Sequence, residues 1–102
     1  MRVIWLPQAQ KQLRQTAKYI HREFGQKVRN DFIRDVQHAN MLLSDNPYIG
    51  SVEQLLGDRS LKYRSYVVNR LNKIVYFINE DHVEVADLWD VRREPQKLAQ
   101  RV

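Results

Sequence analysis

Two groups of basic residues in the second half of the chain have the types and spacing that phosphate chemistry requires. The first group lies in a stretch without acidic residues and comprises Arg59, Lys62, Arg64, Arg70 and Lys73. The second group, Arg92 and Arg93, follows an apolar run and precedes Pro95. Arginine and lysine stabilise negative charge on a reacting phosphate, and arginine also binds phosphate through two parallel hydrogen bonds. The sequence therefore raises the hypothesis of a cationic pocket built from both groups.

Three strands are predicted to position these cations. Segments 63–69, 73–79 and 82–90 are rich in β-branched and aromatic residues and are separated by short polar turns, which favours an antiparallel meander. Side chains alternate across a strand, so Lys62, Arg64 and Tyr66 are predicted to share one face, with Lys73 added from the next strand. Pro95 cannot continue a strand ladder in mid-sheet, so at least one preceding arginine should face outward. The alternative is a solvated basic face that protects the sheet edge.

Two amphipathic helices are predicted in the first half of the chain. Pro7 suits a first helical position, and Gly25 suits a helix end. Between them the apolar residues recur at helical spacing and are Ala9, Leu13, Ala17, Ile20 and Phe24. A second stripe after Gly25, ended by residues 44–47, consists of Val28, Phe32, Val36, Ala39 and Leu43. The short connection predicts a hairpin of two helices whose apolar stripes face a core.

Together these elements predict an α+β fold in a single domain over residues 1–102. The apolar run 3–6 is expected to form a further strand of the same sheet. The predicted order is strand, helix, helix and three strands, with an antiparallel sheet of about four strands covered on one face by the N-terminal helical hairpin. Residues 94–102 are predicted to form a short helix or a frayed tail.

Composition narrows the classes of function. Seventeen Lys and Arg against twelve Asp and Glu give a net charge of +5, which favours acidic or polyanionic partners. The lack of cysteine excludes disulfides, thiol nucleophiles and cysteine-based zinc sites, and scattered histidines make a poor metal site. We expect no metal and no cofactor. No run approaches membrane length, so we expect no membrane contact and a cytoplasmic location.

Several short motifs, in this order and spacing, resemble the RelE/ParE toxin superfamily over nearly the whole chain. The motifs are Trp5, Ala9 and Leu13, then Tyr19-Ile20, Leu42-Leu43, Pro47, Gly50, Tyr63-Arg64, Lys73-Ile74-Val75-Tyr76 and Arg92-Arg93. The resemblance implies a small α+β toxin of a type II toxin-antitoxin system that arrests growth. It also implies inhibition by a cognate antitoxin, and the net charge of +5 predicts that this antitoxin is acidic.

The superfamily divides by target. RelE-like members cleave mRNA in the ribosome, where the 2′-hydroxyl attacks the adjacent phosphate and needs a base, cations and an acid. By resemblance, Arg64, Lys73 and Arg92 or Arg93 match the basic catalytic positions, and Tyr66 stands where relatives have a second lysine. The expected contacts to nucleic acid are Arg59, Lys62, Tyr66 and Arg70.

The C-terminal stretch departs from the ribonuclease pattern. Many ribonuclease members place a histidine or tyrosine there for proton transfer, but residues 88–102 contain neither. Asp90 lies near that position, and the neighbouring Arg92 is expected to lower its pKa and weaken it as a base. ParE-like members bind DNA gyrase and need no proton-transfer residue. Ribosome-dependent mRNA cleavage, gyrase inhibition and plain nucleic-acid binding therefore remain three alternatives.

Overall fold

The predicted helical hairpin is present in the computed structural model, which describes residues 1–102. Helix α1 spans Pro7–Phe24 and helix α2 spans Gln26–Asp45. Pro7 occupies the first turn, where its missing N–H leaves no hydrogen bond unmade. Gly25 alone links the two helices, and its φ of 91° lies in the left-handed region that glycine adopts without strain. The predicted helix bounds at Pro7 and Gly25 are confirmed.

The apolar stripes of both helices pack against the sheet. The buried residues of these stripes are Ala9, Phe32, Val36, Ala39 and Leu43. At the tip of the hairpin the prediction is wrong, because Phe24 is 62% exposed and Val28 is 44% exposed. Both flank Gly25, where the stripe extends beyond the part of the hairpin that the sheet covers. None of the three helices has both the length and the apolar character that crossing a membrane demands.

The sheet has five strands in the order β1-β5-β4-β3-β2. Their bounds are β1 Arg2–Trp5, β2 Ser51–Val52, β3 Arg64–Val67, β4 Asn72–Asn79 and β5 His82–Asp90. The predicted meander corresponds to β3, β4 and β5, and the first strand joins the same sheet as expected. Strand β2 was not predicted because two residues are too few to show a periodicity. Strand β1 pairs with β5 in parallel, which requires the long crossover that the helices supply.

A β-bulge in β5 decides which side chains reach which face of the sheet. Val75 of β4 lies opposite Asp87, whereas the next residue, Tyr76, lies opposite Val85, so Ala86 is the extra residue. An extra residue in one strand reverses the alternation of its side chains beyond that point. Val85 therefore faces the helical hairpin together with Leu88, two residues past the bulge. Asp90 follows Leu88 onto the helix side.

The second face of the sheet is covered as well, by the C-terminal helix α3 (Pro95–Arg101) and a 3-10 helix (Gln54–Leu56). Leu98 of α3 is fully buried and packs with Leu56, Val75 and Trp89. The C-terminal segment is thus a helix with its own small core. Of the two alternatives predicted for residues 94–102, a short helix and a frayed tail, the structure shows the helix.

A buried tyrosine fastens the loop between α2 and β2 to the sheet. The Tyr76 hydroxyl accepts a hydrogen bond from the Gly50 N–H at 2.9 Å and donates one to the Pro47 carbonyl at 2.7 Å. Burial raises the pKa of Tyr76, so the hydroxyl keeps the proton that it donates. A Cβ on Gly50 would lie 2.6 Å from both the Ser65 carbonyl oxygen and the Tyr76 hydroxyl. Only glycine lets the backbone at position 50 come this close to Ser65 and Tyr76.

We expect Gly50→Ala and Tyr76→Phe each to lower the free energy of unfolding by about 1–3 kcal/mol. The first forces a backbone shift in a packed region, and the second leaves a buried N–H and a buried carbonyl without a partner. Urea unfolding followed by circular dichroism measures both. Tyr63→Phe is the matched control, since Tyr63 is half-buried and its hydroxyl makes no hydrogen bond within the chain. Equal stability of all four proteins would contradict the argument.

Candidate functional site

The sheet separates two of the cations that were predicted to form one pocket. Arg64 lies opposite Tyr76 in the β3–β4 pairing, whereas Lys73 lies opposite Val67. Arg64 and Lys73 therefore point to opposite faces, because Val67 is three residues from Arg64 and side chains alternate. The expected placement of Lys73 beside Arg64 is wrong. A sequence pattern gives the alternation within each strand but not the register between strands.

Lys73 forms an ion pair on the face of the sheet that α3 covers. Its ammonium lies 2.6 Å from a carboxylate oxygen of Glu53, and the side chains are only 17% and 9% exposed. The Ser65 hydroxyl also donates a hydrogen bond to Glu53. Burial by itself would raise the pKa of Glu53, but hydrogen bonds from Lys73 and Ser65 and the charge of Lys73 outweigh it and lower that pKa. Lys73 thus neutralises a structural carboxylate.

Arg64 is held on the helix side of the sheet by the loop that Tyr76 fastens. Its guanidinium donates to the Gly50 carbonyl at 2.8 Å and lies 5.0 Å from the centre of the Tyr48 ring. Tyr48 is exposed, so this cation and its aromatic neighbour form the surface next to β2. The arrangement is a cation-π pair at the edge of the sheet.

The four residues predicted to contact nucleic acid do not form one surface. Arg59 donates hydrogen bonds to Asp58 and to the Ala99 carbonyl, which joins the loop before β3 to α3. Tyr66 is half-buried and packs against the main core. Lys62 and Arg70 are exposed, but they lie beyond opposite ends of β3. These four residues share no common site, and their contact with nucleic acid remains a prediction.

Arg92 forms an ion pair with Asp90 where β5 ends. Its guanidinium lies 2.7 Å and 3.0 Å from the two Asp90 oxygens, and its backbone N–H donates to the same carboxylate. Hydrogen bonding to Arg92 lowers the pKa of Asp90, as expected from the sequence. Asp90 is therefore a weak base at neutral pH. Arg93 lies with its guanidinium 5.0 Å from the centre of the Trp89 ring.

These two arginines line a groove between α1 and the end of β5. The groove has a volume of about 260 Å³, and α1 contributes Tyr19 and Phe24 to its wall. Leu71, from the turn between β3 and β4, closes the far side. All three apolar side chains are more than 40% exposed. We call this groove, lined by Tyr19, Phe24, Leu71, Arg92 and Arg93, the aromatic groove.

Sequence reasoning did not identify the partner of the most deeply buried acid. Asp87 is fully buried, and Arg101 of α3 binds both of its oxygens, at 2.7 Å and 2.9 Å. Burial raises the pKa of Asp87, and the pair with Arg101 opposes that rise. The Arg101 guanidinium also lies 4.5 Å from the centre of the Trp89 ring. Arg101 therefore fixes α3 to the sheet, and an isolated arginine near a chain end carries no sequence signal of that role.

No histidine lies in the aromatic groove. His21 is on the exposed side of α1 and His38 on that of α2, while His82 begins β5 at the end of the strand remote from Arg92. His82 lies between the carboxylates of Asp81 and Glu84, at 3.2 Å and 3.1 Å. No group of three or more His, Asp or Glu side chains in the chain has an arrangement that could hold a metal ion.

The chain combines a single five-stranded sheet with the α1–α2 hairpin on one face and α3 on the other, which is the fold expected of a RelE/ParE toxin. Residues 3–95 match the family described as ParE toxin of type II toxin-antitoxin system, parDE, and the chain belongs to that family. None of the curated proteins compared with the chain matches it significantly.

Solved structures support the fold. The chain is similar to a structure described as the chromosomal ParDE TA system from P. aeruginosa, with a TM-score of 0.72, 12% identity, and coverage of 89% of this chain and 96% of that one. It is also similar to the YoeB dimer from Staphylococcus aureus, with a TM-score of 0.54, 20% identity, and coverage of 85% and 92%. The YoeB-YefM toxin-antitoxin complex from the same organism gives a TM-score of 0.53, 16% identity, and the same coverage.

Because Lys73 pairs with a buried carboxylate, we expect Lys73→Ala to destabilise the fold by about 3 kcal/mol. Removing one partner leaves the other as an uncompensated buried charge. The double variant Glu53→Gln/Lys73→Met removes both charges and should recover most of that loss. Urea unfolding of the single and double variants measures the difference. A double variant that is no more stable than Lys73→Ala would show that the pair does not govern stability.

The same pair predicts a dependence of stability on pH. The folded state lowers the pKa of Glu53, so its contribution is fully present above the ordinary glutamate pKa and is lost as pH falls through the lower folded-state value. In the double variant this acid-side loss should be smaller than in the parent chain. Unfolding free energies measured from neutral to acidic pH supply this second readout.

Proposed function

We propose that the chain arrests growth by binding DNA gyrase, without cleaving RNA, and that a cognate acidic antitoxin inhibits it. The observation that carries this proposal is the separation of Arg64 from Lys73 by the sheet. A ribonuclease needs its cations gathered around one phosphate, together with groups that move protons. Lys73 is paired with Glu53 on the face of the sheet that α3 and the 3-10 helix cover, and Arg64 is on the other face.

The chemistry of the C-terminal arginines supports the same conclusion. Arg92 is paired with Asp90, and the lowered pKa of Asp90 makes that carboxylate a poor proton acceptor. Histidine and cysteine, the other common proton acceptors near neutral pH, are absent from this part of the chain. Binding to a protein target requires none of these groups. Membership of the ParE family, whose ParE-like members bind gyrase, favours the same target.

The aromatic groove has the composition of a protein-binding surface. Exposed aromatic side chains and arginines contribute most of the binding energy in many interfaces. Tyr19 and Phe24 lie edge to face, with ring centres 6.4 Å apart, so they form a preorganised pair on α1. Arg92 lies across the groove and is 59% exposed, so it can contact a partner at the rim. We assign gyrase binding to this groove.

The proposal predicts that Tyr19→Ala/Phe24→Ala abolishes growth arrest while leaving the melting temperature nearly unchanged. Both side chains are exposed, so their removal costs little stability, whereas loss of an anchor should weaken gyrase binding by about tenfold or more. Met41→Ala is the matched control, because Met41 is 65% exposed on α2, which does not line the groove. Induced expression and a gyrase supercoiling assay with purified protein provide the readouts.

The same experiments distinguish the targets. Gyrase poisoning predicts a DNA-damage response on induction, intact mRNA and inhibition of supercoiling in vitro. Cleavage of mRNA at ribosome-positioned sites, with no effect on gyrase, would instead assign the chain to the RelE-like ribonucleases. Growth without arrest would favour plain nucleic-acid binding.

Neutralisation by an acidic antitoxin is tested separately. The net charge of +5 predicts a partner segment rich in Asp and Glu that folds on binding. Co-expression of the adjacent small acidic open reading frame should restore growth, and the two proteins should co-purify. The affinity should fall as salt increases, because screening weakens exposed charge pairs. A neighbouring acidic protein that does not bind at moderate salt would contradict this pairing.

A further inference from the structure

The exposed side of α1 carries cations that no acidic group in the chain neutralises. Lys11, Arg14 and Lys18 are exposed and follow one another at spacings of three and four residues, which places them on one face of the helix. None of the three takes part in an ion pair within the chain. We call these three residues the α1 basic stripe. It lies outside the aromatic groove.

This placement works against the stability of the helix itself. Like charges at spacings of three and four residues repel each other on a helix surface. The first turn of α1 contains no acidic residue that would compensate. A helix surface that serves only solubility normally alternates acidic and basic residues. The α1 basic stripe therefore favours a polyanionic ligand.

A second groove beside the stripe adds a cation from α2. This groove runs between α1 and α2, has a volume of about 500 Å³ and contains no acidic side chain. Arg14 and Lys18 line it together with His21 and Arg29. The Arg29 Nε is buried and has no hydrogen-bond partner within the chain. Arg29 as a whole is only partly buried, so the other N–H groups of its guanidinium, held next to further cations in the groove, provide donors for an anion.

From these observations we infer that the α1 basic stripe and Arg29 bind the phosphate backbone of a nucleic-acid duplex. The stripe extends about 10 Å along the helix at a rise of about 1.5 Å per residue. That length matches about three intervals between consecutive charges of one DNA strand, which are spaced about 3.4 Å apart along the helix axis. The contacts would be to phosphate alone and would carry no sequence specificity. The inference does not depend on which protein the aromatic groove binds.

Two features favour a duplex over an acidic peptide or a single strand. The apolar side chains that line the second groove, Leu13, Ala17 and Ile33, are half-buried against the core, which leaves little apolar surface for an amphipathic segment. The groove also has no Phe, Tyr or Trp side chain on which an unpaired base could stack. Charge is therefore its main means of recognition, and a duplex presents the densest regular array of negative charge.

The test is binding of a short fluorescein-labelled DNA duplex to the purified full chain over a range of salt concentrations. The triple variant Lys11→Gln/Arg14→Gln/Lys18→Gln should bind about tenfold or more weakly, and the slope of log affinity against log salt should fall by about 3. Arg29→Gln alone should lower the slope by about 1. Glutamine has nearly the same helix propensity as lysine and arginine, so α1 should remain folded, as circular dichroism would verify.

The matched control is Arg2→Gln/Lys27→Gln/Lys97→Gln, which removes the same charge from exposed positions outside α1 and outside the second groove. If the control weakens binding as much as the α1 triple variant, only net charge matters and the inference fails. It also fails if the α1 triple variant loses binding to polyglutamate but not to the duplex. An RNA duplex measured in parallel identifies which backbone is preferred.

Discussion

The single extra residue in β5 is the constraint on which the arrangement of the molecule depends. Before Ala86, alternate side chains of β5 face the helical hairpin in the usual way, and after it the two sets exchange faces. Trp89 consequently joins the core beneath α3, while Asp90 and the arginine that pairs with it reach the wall of the aromatic groove. Without the bulge, Trp89 would face α1 and the groove would lose its charged wall.

Burial distinguishes the structural cations of this protein from those available to ligands. On the α3 side of the sheet, Lys73 and Arg101 each neutralise a carboxylate with little access to water. An ion pair of this kind is costly to break, because either partner alone would be a buried charge. The cations that can accept a ligand are therefore the exposed ones, at the rim of the aromatic groove and along α1. Residue type alone does not reveal this division, since arginine and lysine occur in both sets.

Much of the fold follows from local signals in the sequence. Pro7 and Gly25 mark the ends of α1 because each has a backbone preference that needs no tertiary context. The three strands of the meander also follow from composition and turns. Composition and turns do not reveal which side chains of those strands face the helical hairpin, because that depends on the pairing register and on the bulge. The pairing of Lys73 with Glu53 could not be predicted from the sequence either, because Glu53 lies 20 residues away in an irregular segment.

Helix α1 is a wall shared by two grooves that open on opposite sides of it. One groove has Tyr19 and Phe24 on its wall, and the other has Arg14 and Lys18. The one-residue link at Gly25 leaves α1 little freedom to move independently of α2. A ligand that tilts α1 to widen one groove necessarily changes the width of the other. Two ligands that require different positions of α1 would therefore show reciprocal negative cooperativity, although they never touch.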